Sequence, residues 1–262
     1  MIKHAALVTV VATAGLLYTA LTHEPDLTEF DRKELESLIK SKRPALAANR
    51  MIEDHRQQFA RLMMDYAEHE NERLVAARAF IPGIIERQTK QIDRDPALAL
   101  LIEYFKIDPN NSLDHIEAEL YLRVDGLPSA LVATQAAIES AWGQSRFAVT
   151  GNNYFGHQCY APGCGIKPKN RTNRTLEIRR FETVGDSVAA YYQNINTHKA
   201  YRKLRQLRFD LRTANKPLTT KALIPTLGSY SELGKRYLKI LRSVYRSEYI
   251  QLAQQFETHA TQ

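Results

Sequence analysis

The distribution of apolar side chains along the chain predicts a succession of helices with distinct signatures. Residues Ala5 to Thr22 carry no charge and follow a single Lys3. Over 26–75 charge dominates, with apolar residues at helical spacing: Phe30, Leu35, Leu38 and Ile39, then Phe59, Leu62, Met63 and Tyr66. Pro44 is expected to separate these two helices. A tighter stripe follows at Ala77, Phe80, Ile81, Ile84, Ile85 and Ile92, with Pro82 close to its start. Short helices over 97–105 and from Leu113 to Val124 flank a turn at Asp108-Pro109-Asn110-Asn111. The capping signal Thr183-Val184-Gly185-Asp186 opens a helix carrying Val188, Tyr192 and Ile195. Another helix starts near Thr219 or Thr220 and is stopped by Gly228. A last one, from about Lys235, lines up Leu238, Leu241, Tyr245, Tyr249 and Leu252.

Between Tyr154 and Phe181 the helical period is lost. Turn residues and short alternating stretches such as Thr175–Phe181 predict a small β-lobe at about 154–181. The expected architecture is mainly α: a helical globular domain over 77–262 with that lobe inserted, preceded by a hydrophobic N-terminal helix at 1–22 and a helical stalk or spacer over 23–76.

The N-terminal run sits at the boundary between a signal-peptide core and a minimal membrane-spanning helix. Cutting after Ala20 would place Tyr18 at the outer recognition position, and cutting after Thr22 would place a threonine at the inner one. Both sites are mediocre, so a cleaved signal and a retained membrane anchor through 5–22 stand level. Either one exports the rest of the chain, and the expected location is the cell envelope, in the periplasm.

Export changes the reading of the two cysteines. Cys159 and Cys164 bracket a turn at Pro162-Gly163, and in an oxidising compartment such a pair is expected to form a disulfide. A metal site recruiting His157 has no evident fourth ligand, and the spacing is not the redox C-x-x-C, so neither a metal nor a cofactor is expected.

Lys and Arg number 36 against 29 Asp and Glu, a formal charge of +7. That favours an acidic partner: nucleic acid, anionic lipid or a polyanionic wall polymer. Export and the absence of any nucleic-acid motif argue against the first. The 44% apolar and 25% charged composition is that of a folded chain and excludes general disorder.

The most informative segment runs from Leu127 to Gly143. Leu131, Val132, Ala133, Ala136, Ala137, Ile138 and Ala141 surround the helix with apolar groups, so it should be buried across the middle of the domain. Pro128 suits its first turn and Gly143 its stop. Glu139 is the single acid on it. Loss of hydration penalises the charged form and raises the pKa, as a general acid working near neutrality requires. Gln135 and Trp142 lie one turn to either side and complete a stripe able to wall a sugar-binding cleft, although a buried Glu paired with an Arg for structure would look the same.

The run AAIESAWGQSRFA followed by GNNYFG closely resembles the glucosaminidase domain of glycoside hydrolase family 73. CYAPGCG, FETVGDSVAAYYQNINTHKAYRKLR and GSYSELGKRYLKIL are similar to its Bax-type bacterial subgroup. The resemblance covers roughly 77–255 and does not extend to 1–75. It implies a lysozyme-like, mainly helical fold with a small β-lobe, and hydrolysis of the β-1,4 bond between N-acetylglucosamine and N-acetylmuramic acid in peptidoglycan. By the same resemblance Glu139 is the general acid, and Trp142 and Gly143 shape the cleft. Asn152, Asn153, Phe155 and Gly156 form the element leading into the lobe, with Asn153 and Phe155 expected on the substrate. Tyr230 falls on a cleft tyrosine near the acid, and Tyr237 on a second aromatic position with a substrate or core role.

A two-carboxylate glycosidase needs a base or nucleophile about 5–5.5 Å from the acid for retention, or about 6.5–9.5 Å for inversion. Glu177 in the lobe is the expected second group, set against its alternative as a solvated strand charge among Lys167, Lys169, Arg171, Arg174, Arg179 and Arg180. Glu182 and Asp186 rank below it, since Asp186 belongs to the helix cap. If no lobe carboxylate reaches the cleft, the substrate's own acetamido group could attack instead. Lytic transglycosylase or muramidase action on the same polymer, and a non-catalytic wall-binding scaffold, are the rival functions. The basic lobe would meet stem-peptide carboxylates, or simply face water.

Overall fold

A computed structural model describes residues 27–43, 45–46, 54–90, 92–169 and 176–260. The apolar run at 5–22 and Pro44 lie outside these residues, and no helix among the described residues is long and apolar enough to cross a membrane.

In chain order the elements are α1 (Leu27–Lys40), α2 (His55–Ala79), α3 (Ile81–Thr89), α4 (Pro96–Tyr104), α5 (Leu113–Arg123), α6 (Ser129–Ser140) and α7 (Arg146–Gly151). The strands β1 (Gln158–Cys159), β2 (Gly165–Ile166) and β3 (Glu177–Arg179) follow. Then come α8 (Val184–Thr197), a 3-10 turn at Lys199–Tyr201, α9 (Arg202–Thr213), α10 (Thr220–Leu223), a 3-10 turn at Ile224–Leu227, α11 (Lys235–Tyr245) and α12 (Glu248–Ala260). The result is a mainly helical chain with a small three-stranded sheet.

The core is organised around α6, which buries every residue from Ser129 to Ala137. Its most extensive partner is α2, started by Asp54, whose carboxylate caps the N–H groups of Arg56 and Gln57. Phe59, Ala60, Met63, Met64, Ala67 and Leu74 of α2 are buried, and the alanines let the two helices approach closely. Asn71 then clamps the entry to α6, donating to the Leu127 carbonyl and accepting from its N–H, both at 2.8 Å. Gly126 permits this approach, since a Cβ there would stand 2.4 Å from Asn71 Oδ1.

This arrangement corrects the expectation of a spacer over 23–76. The expected boundary at 77 falls inside α2, and α2 supplies one wall of the core. The charge that gave the segment its solvated look occupies its outer face. Internally, the Arg43–Glu70 pair, at 2.8 and 3.0 Å, is buried and mutually satisfied.

Two other expectations shift. The stripe over 77–92 breaks at Phe80, where α2 hands over to α3, and Ile92 is fully exposed. The last helix is two, α11 and α12, parted at Arg246-Ser247, so Leu252 leaves the shared face and is exposed. The capping box on α8 forms as expected, with Thr183 and Asp186 bonded reciprocally.

The sheet has the order β1-β3-β2, antiparallel throughout, with Cys159 opposite Glu177 and Gly165 opposite Arg179. Gly165 is required by close approach, because a Cβ there would fall 2.0 Å from the Ile178 carbonyl oxygen.

Candidate active site

Glu139 stands in the last turn of α6, half-buried on an otherwise buried helix. Its Oε1 accepts a hydrogen bond from the Tyr237 hydroxyl at 2.9 Å. That hydroxyl has one hydrogen and spends it on the carboxylate, so it must accept from its other neighbour, Gln135 Nε2, at 3.0 Å. The amide orientation is thereby set, and Gln135 Oε1 accepts from the Tyr191 hydroxyl at 2.5 Å. Every donor in the series Tyr191, Gln135, Tyr237 points toward Glu139. Such a chain polarises its members in one direction.

Aromatic faces close around this series. Tyr230 stacks on Tyr237 with ring centres 5.5 Å apart, and Phe155 stacks on Tyr191 at 4.3 Å. Tyr201 leans on Tyr230 at 6.0 Å. Burial pushes the Glu139 carboxyl above the usual carboxylate range, against a weaker downward pull from the Tyr237 hydrogen bond. Burial, reinforced by the nearby Glu139 charge, holds the Tyr230 and Tyr237 hydroxyls far above neutrality, so both stay protonated donors. With Oε1 occupied, Oε2 has no hydrogen-bond partner among the described residues and is the oxygen left free to hold a proton.

Glu139 opens on a cleft of about 980 Å³. Phe155, Tyr201 and Tyr230 line its inner wall, while His157 and Arg179 come from the lobe. Burial, followed by the Arg179 charge, pushes His157 down to about 4, so its ring is neutral at pH 7. Among the described residues that line the cleft, Glu139 is the sole carboxylate.

Several expected site residues take other positions. Gln135 and Tyr237 are no more than 1% exposed and hold the acid from behind rather than facing a sugar. Asn153 is buried as well, donating to the carbonyls of His157 and Arg179 and accepting from the His157 N–H. It fastens the root of the lobe. Trp142 leaves the stripe because the chain turns left-handed after Ser140, at Ala141, Trp142 and Gly143 in succession. It packs instead on Phe59 and Tyr249, with Arg56 over its ring, and anchors the end of α6 to α2 and α12. Gly143 is needed at this turn, where φ is +79° and a Cβ would press on the Phe59 ring at 3.0 Å.

Glu177 does not line the cleft. It is buried at 3% exposure, and its two oxygens accept from the N–H groups of Gly163 and Gly165, at 3.3 and 2.8 Å. The tight turn at Pro162-Gly163 needs acceptors for these N–H groups, and the carboxylate supplies them. Both alternatives weighed from the sequence are thus corrected: the side chain is neither in the cleft nor solvated. The neighbouring Cys159 and Cys164 are joined in a disulfide, so their closeness to Glu177 offers no metal ligands. Glu182 pairs with Lys42 on the surface, and Asp186 is spent on the α8 cap.

Sequence reasoning missed Tyr191, Tyr201, Lys106 and Lys199. Tyr191 reaches Gln135 across 56 positions of chain, and no local pattern marks that meeting.

Residues 117–255 match the family model named Glucosaminidase, mannosyl-glycoprotein endo-beta-N-acetylglucosaminidase. Protein bax of Escherichia coli (strain K12) is 34% identical over 190 residues, which is 72% of this chain and 68% of that protein. No solved structure matches the chain.

Proposed function

The chain belongs to the glucosaminidase family, a family of glycosidases, and on that premise we propose that it hydrolyses the β-1,4 bond between N-acetylglucosamine and N-acetylmuramic acid in peptidoglycan, with Glu139 as general acid. The observation that carries this reading is the Glu139 carboxyl, half-buried and partly desolvated, one oxygen held and the other open to the cleft. Oε2 protonates the departing glycosidic oxygen as the bond to the anomeric carbon breaks. As charge develops on the carboxylate, the Tyr237 hydroxyl donates to it more strongly, and the polarised Gln135 and Tyr191 behind it support that donation. Tyr230, half-buried in the cleft wall, offers a ring against which a sugar rests, and Phe155, only 5% exposed, backs that wall by stacking on Tyr191. The disulfide accords with work in the envelope, on the periplasmic side, and a membrane anchor at 5–22 belongs to the same proposal.

The route after bond cleavage is the second part of the proposal. Glu177 is the only acidic residue between Gly156 and Phe181, and its oxygens are taken by the cysteine loop. A one-acid route therefore fits best: the substrate's 2-acetamido oxygen closes on the anomeric carbon, and water later opens the ring. Closure by the muramyl 6-hydroxyl, as in a lytic transglycosylase, also needs only one protein acid, but it breaks the other β-1,4 bond, the one from the muramic acid C1 to N-acetylglucosamine.

Digestion of purified wall, with separation of the products, tests both parts. Reducing N-acetylglucosamine ends that disappear with Glu139→Gln are the expected result. Reducing muramic acid ends would make the protein a muramidase, and 1,6-anhydro products a transglycosylase. Wall binding without any soluble product would make it a scaffold.

A further inference from the structure

The cleft has a second chamber. Lys106, Thr197 and Lys199 line it and also border an adjoining cavity of about 360 Å³. There they meet Arg123, Arg202 and Arg205, contributed by the end of α5 and by α9. The acids of this chamber are already engaged. Glu119 is tied to Arg123 Nε at 2.6 Å, and Asp108 Oδ1 accepts from the Asn110 N–H at 3.0 Å. Arg123 is further occupied by the carbonyls of Phe105 and Lys106.

The other cations are not neutralised. Lys106, Lys199 and Arg202 are exposed and hold no ion pair among the described residues. Arg205, only 3% exposed, donates to the carbonyls of Ile195 and His198. Burial, with Arg123, Arg208 and Arg202 close by, pushes its pKa down to about 10. A concave surface with this excess of positive charge attracts an anion and repels a cation. Lys106 also sits at φ 54°, in the left-handed region, which costs a non-glycine residue about 1 kcal/mol.

We propose that the second chamber is a carboxylate subsite that receives the peptide substituent of the wall glycan, so that peptide-bearing strands are selected over bare ones. The proposal rests on the peptidoglycan reading above. A bare strand carries one carboxylate per muramic acid, on the lactyl group close to the sugar ring, whereas the peptide branching from that group carries further carboxylates at a distance from the glycan, where a chamber beside the cleft can receive them. The chamber opens off the cleft at Lys106 and Lys199, where a branch leaving the glycan can enter it. Its volume suits a short peptide and not a second polymer.

The test uses one glycan preparation in two forms, with its peptides intact and with them removed by an amidase. Wild-type protein should cleave the intact form with the higher kcat/KM. Lys199→Gln combined with Arg202→Gln should lower the ratio of the two kcat/KM values by about tenfold, mainly through KM, as expected for two lost charge-assisted contacts. Lys199→Arg with Arg202→Lys should restore the ratio. An unchanged ratio in the glutamine variant overturns the subsite, because damage to the cleft itself would lower both substrates together. Binding of a disaccharide-peptide to the Glu139→Gln protein, with and without the two glutamines, scores the subsite without catalysis. Equal binding there overturns it even if cleavage fails, so the two proposals fail separately.

Discussion

The Tyr237 hydroxyl donates to Glu139 Oε1 at 2.9 Å from a helix 98 positions further along the chain. This one contact decides which oxygen of the Glu139 carboxyl is free and ties α11 to the end of α6. Tyr237 is buried at 1% exposure, so its work is done on the carboxylate and not on the sugar.

Replacement of Glu139 by Gln should reduce release of wall fragments by about 10²–10⁴-fold, the usual contribution of a positioned general acid. The circular dichroism spectrum should be unchanged. A variant retaining activity near wild type would remove Glu139 from the mechanism.

Tyr237→Phe deletes the donor that pulls the Glu139 pKa down, so that pKa should climb further. The alkaline limb of the pH–rate profile, where the acid loses its proton, should move to higher pH. Gln135 Nε2 loses its acceptor, at a cost of about 1–3 kcal/mol in denaturant unfolding. A profile that stays in place would contradict the contact.

The same pKa direction makes a stability prediction. The folded protein holds the Glu139 proton more tightly than the unfolded chain, so this group's contribution is fully present below the unfolded pKa and is lost as pH rises through the folded one. Glu139→Gln removes the penalty of the buried charge. The variant should therefore melt above wild type at pH 8, and the gap should close at pH 4. Thermal melts at the two pH values read it directly; the opposite order would show that the folded state favours the ionised form.

Glu177→Gln distinguishes a catalytic carboxylate from a lobe fastener. With its oxygens on Gly163 and Gly165, the loss of activity should stay within about tenfold, with a destabilisation of about 1–2 kcal/mol. Loss of activity as complete as that of Glu139→Gln, in a protein of wild-type stability, would instead place Glu177 in the reaction and exclude the one-acid route.

Met63→Ala tests the role of α2. Met63 is fully buried, so truncation should cost about 2–5 kcal/mol by urea denaturation. A residue in a free spacer would cost almost nothing.

The helices and the placing of Glu139 on a buried one were legible in the sequence because hydrophobic period, capping residues and the isolation of Glu139 on an apolar helix are local properties. The lobe too was readable, from the loss of helical period and from the turn residues and short alternating stretches between Tyr154 and Phe181. Residues 55–76 were misread because a helix with a charged outer face and a packed inner face has the same composition as a solvated one, and only the partner, α6, distinguishes them. Gln135, Trp142, Asn153 and Glu177 were picked out as chemical groups, but their roles depend on what they touch: a tyrosine hydroxyl, a phenylalanine edge, the carbonyls of the lobe, the N–H groups of a tight turn. Periodicity along a chain records which side of an element avoids water. Which buried hydrogen-bonding groups find one another is decided by packing between distant elements, and here that packing assigned the acid its partner and gave the expected second carboxylate to the cysteine loop.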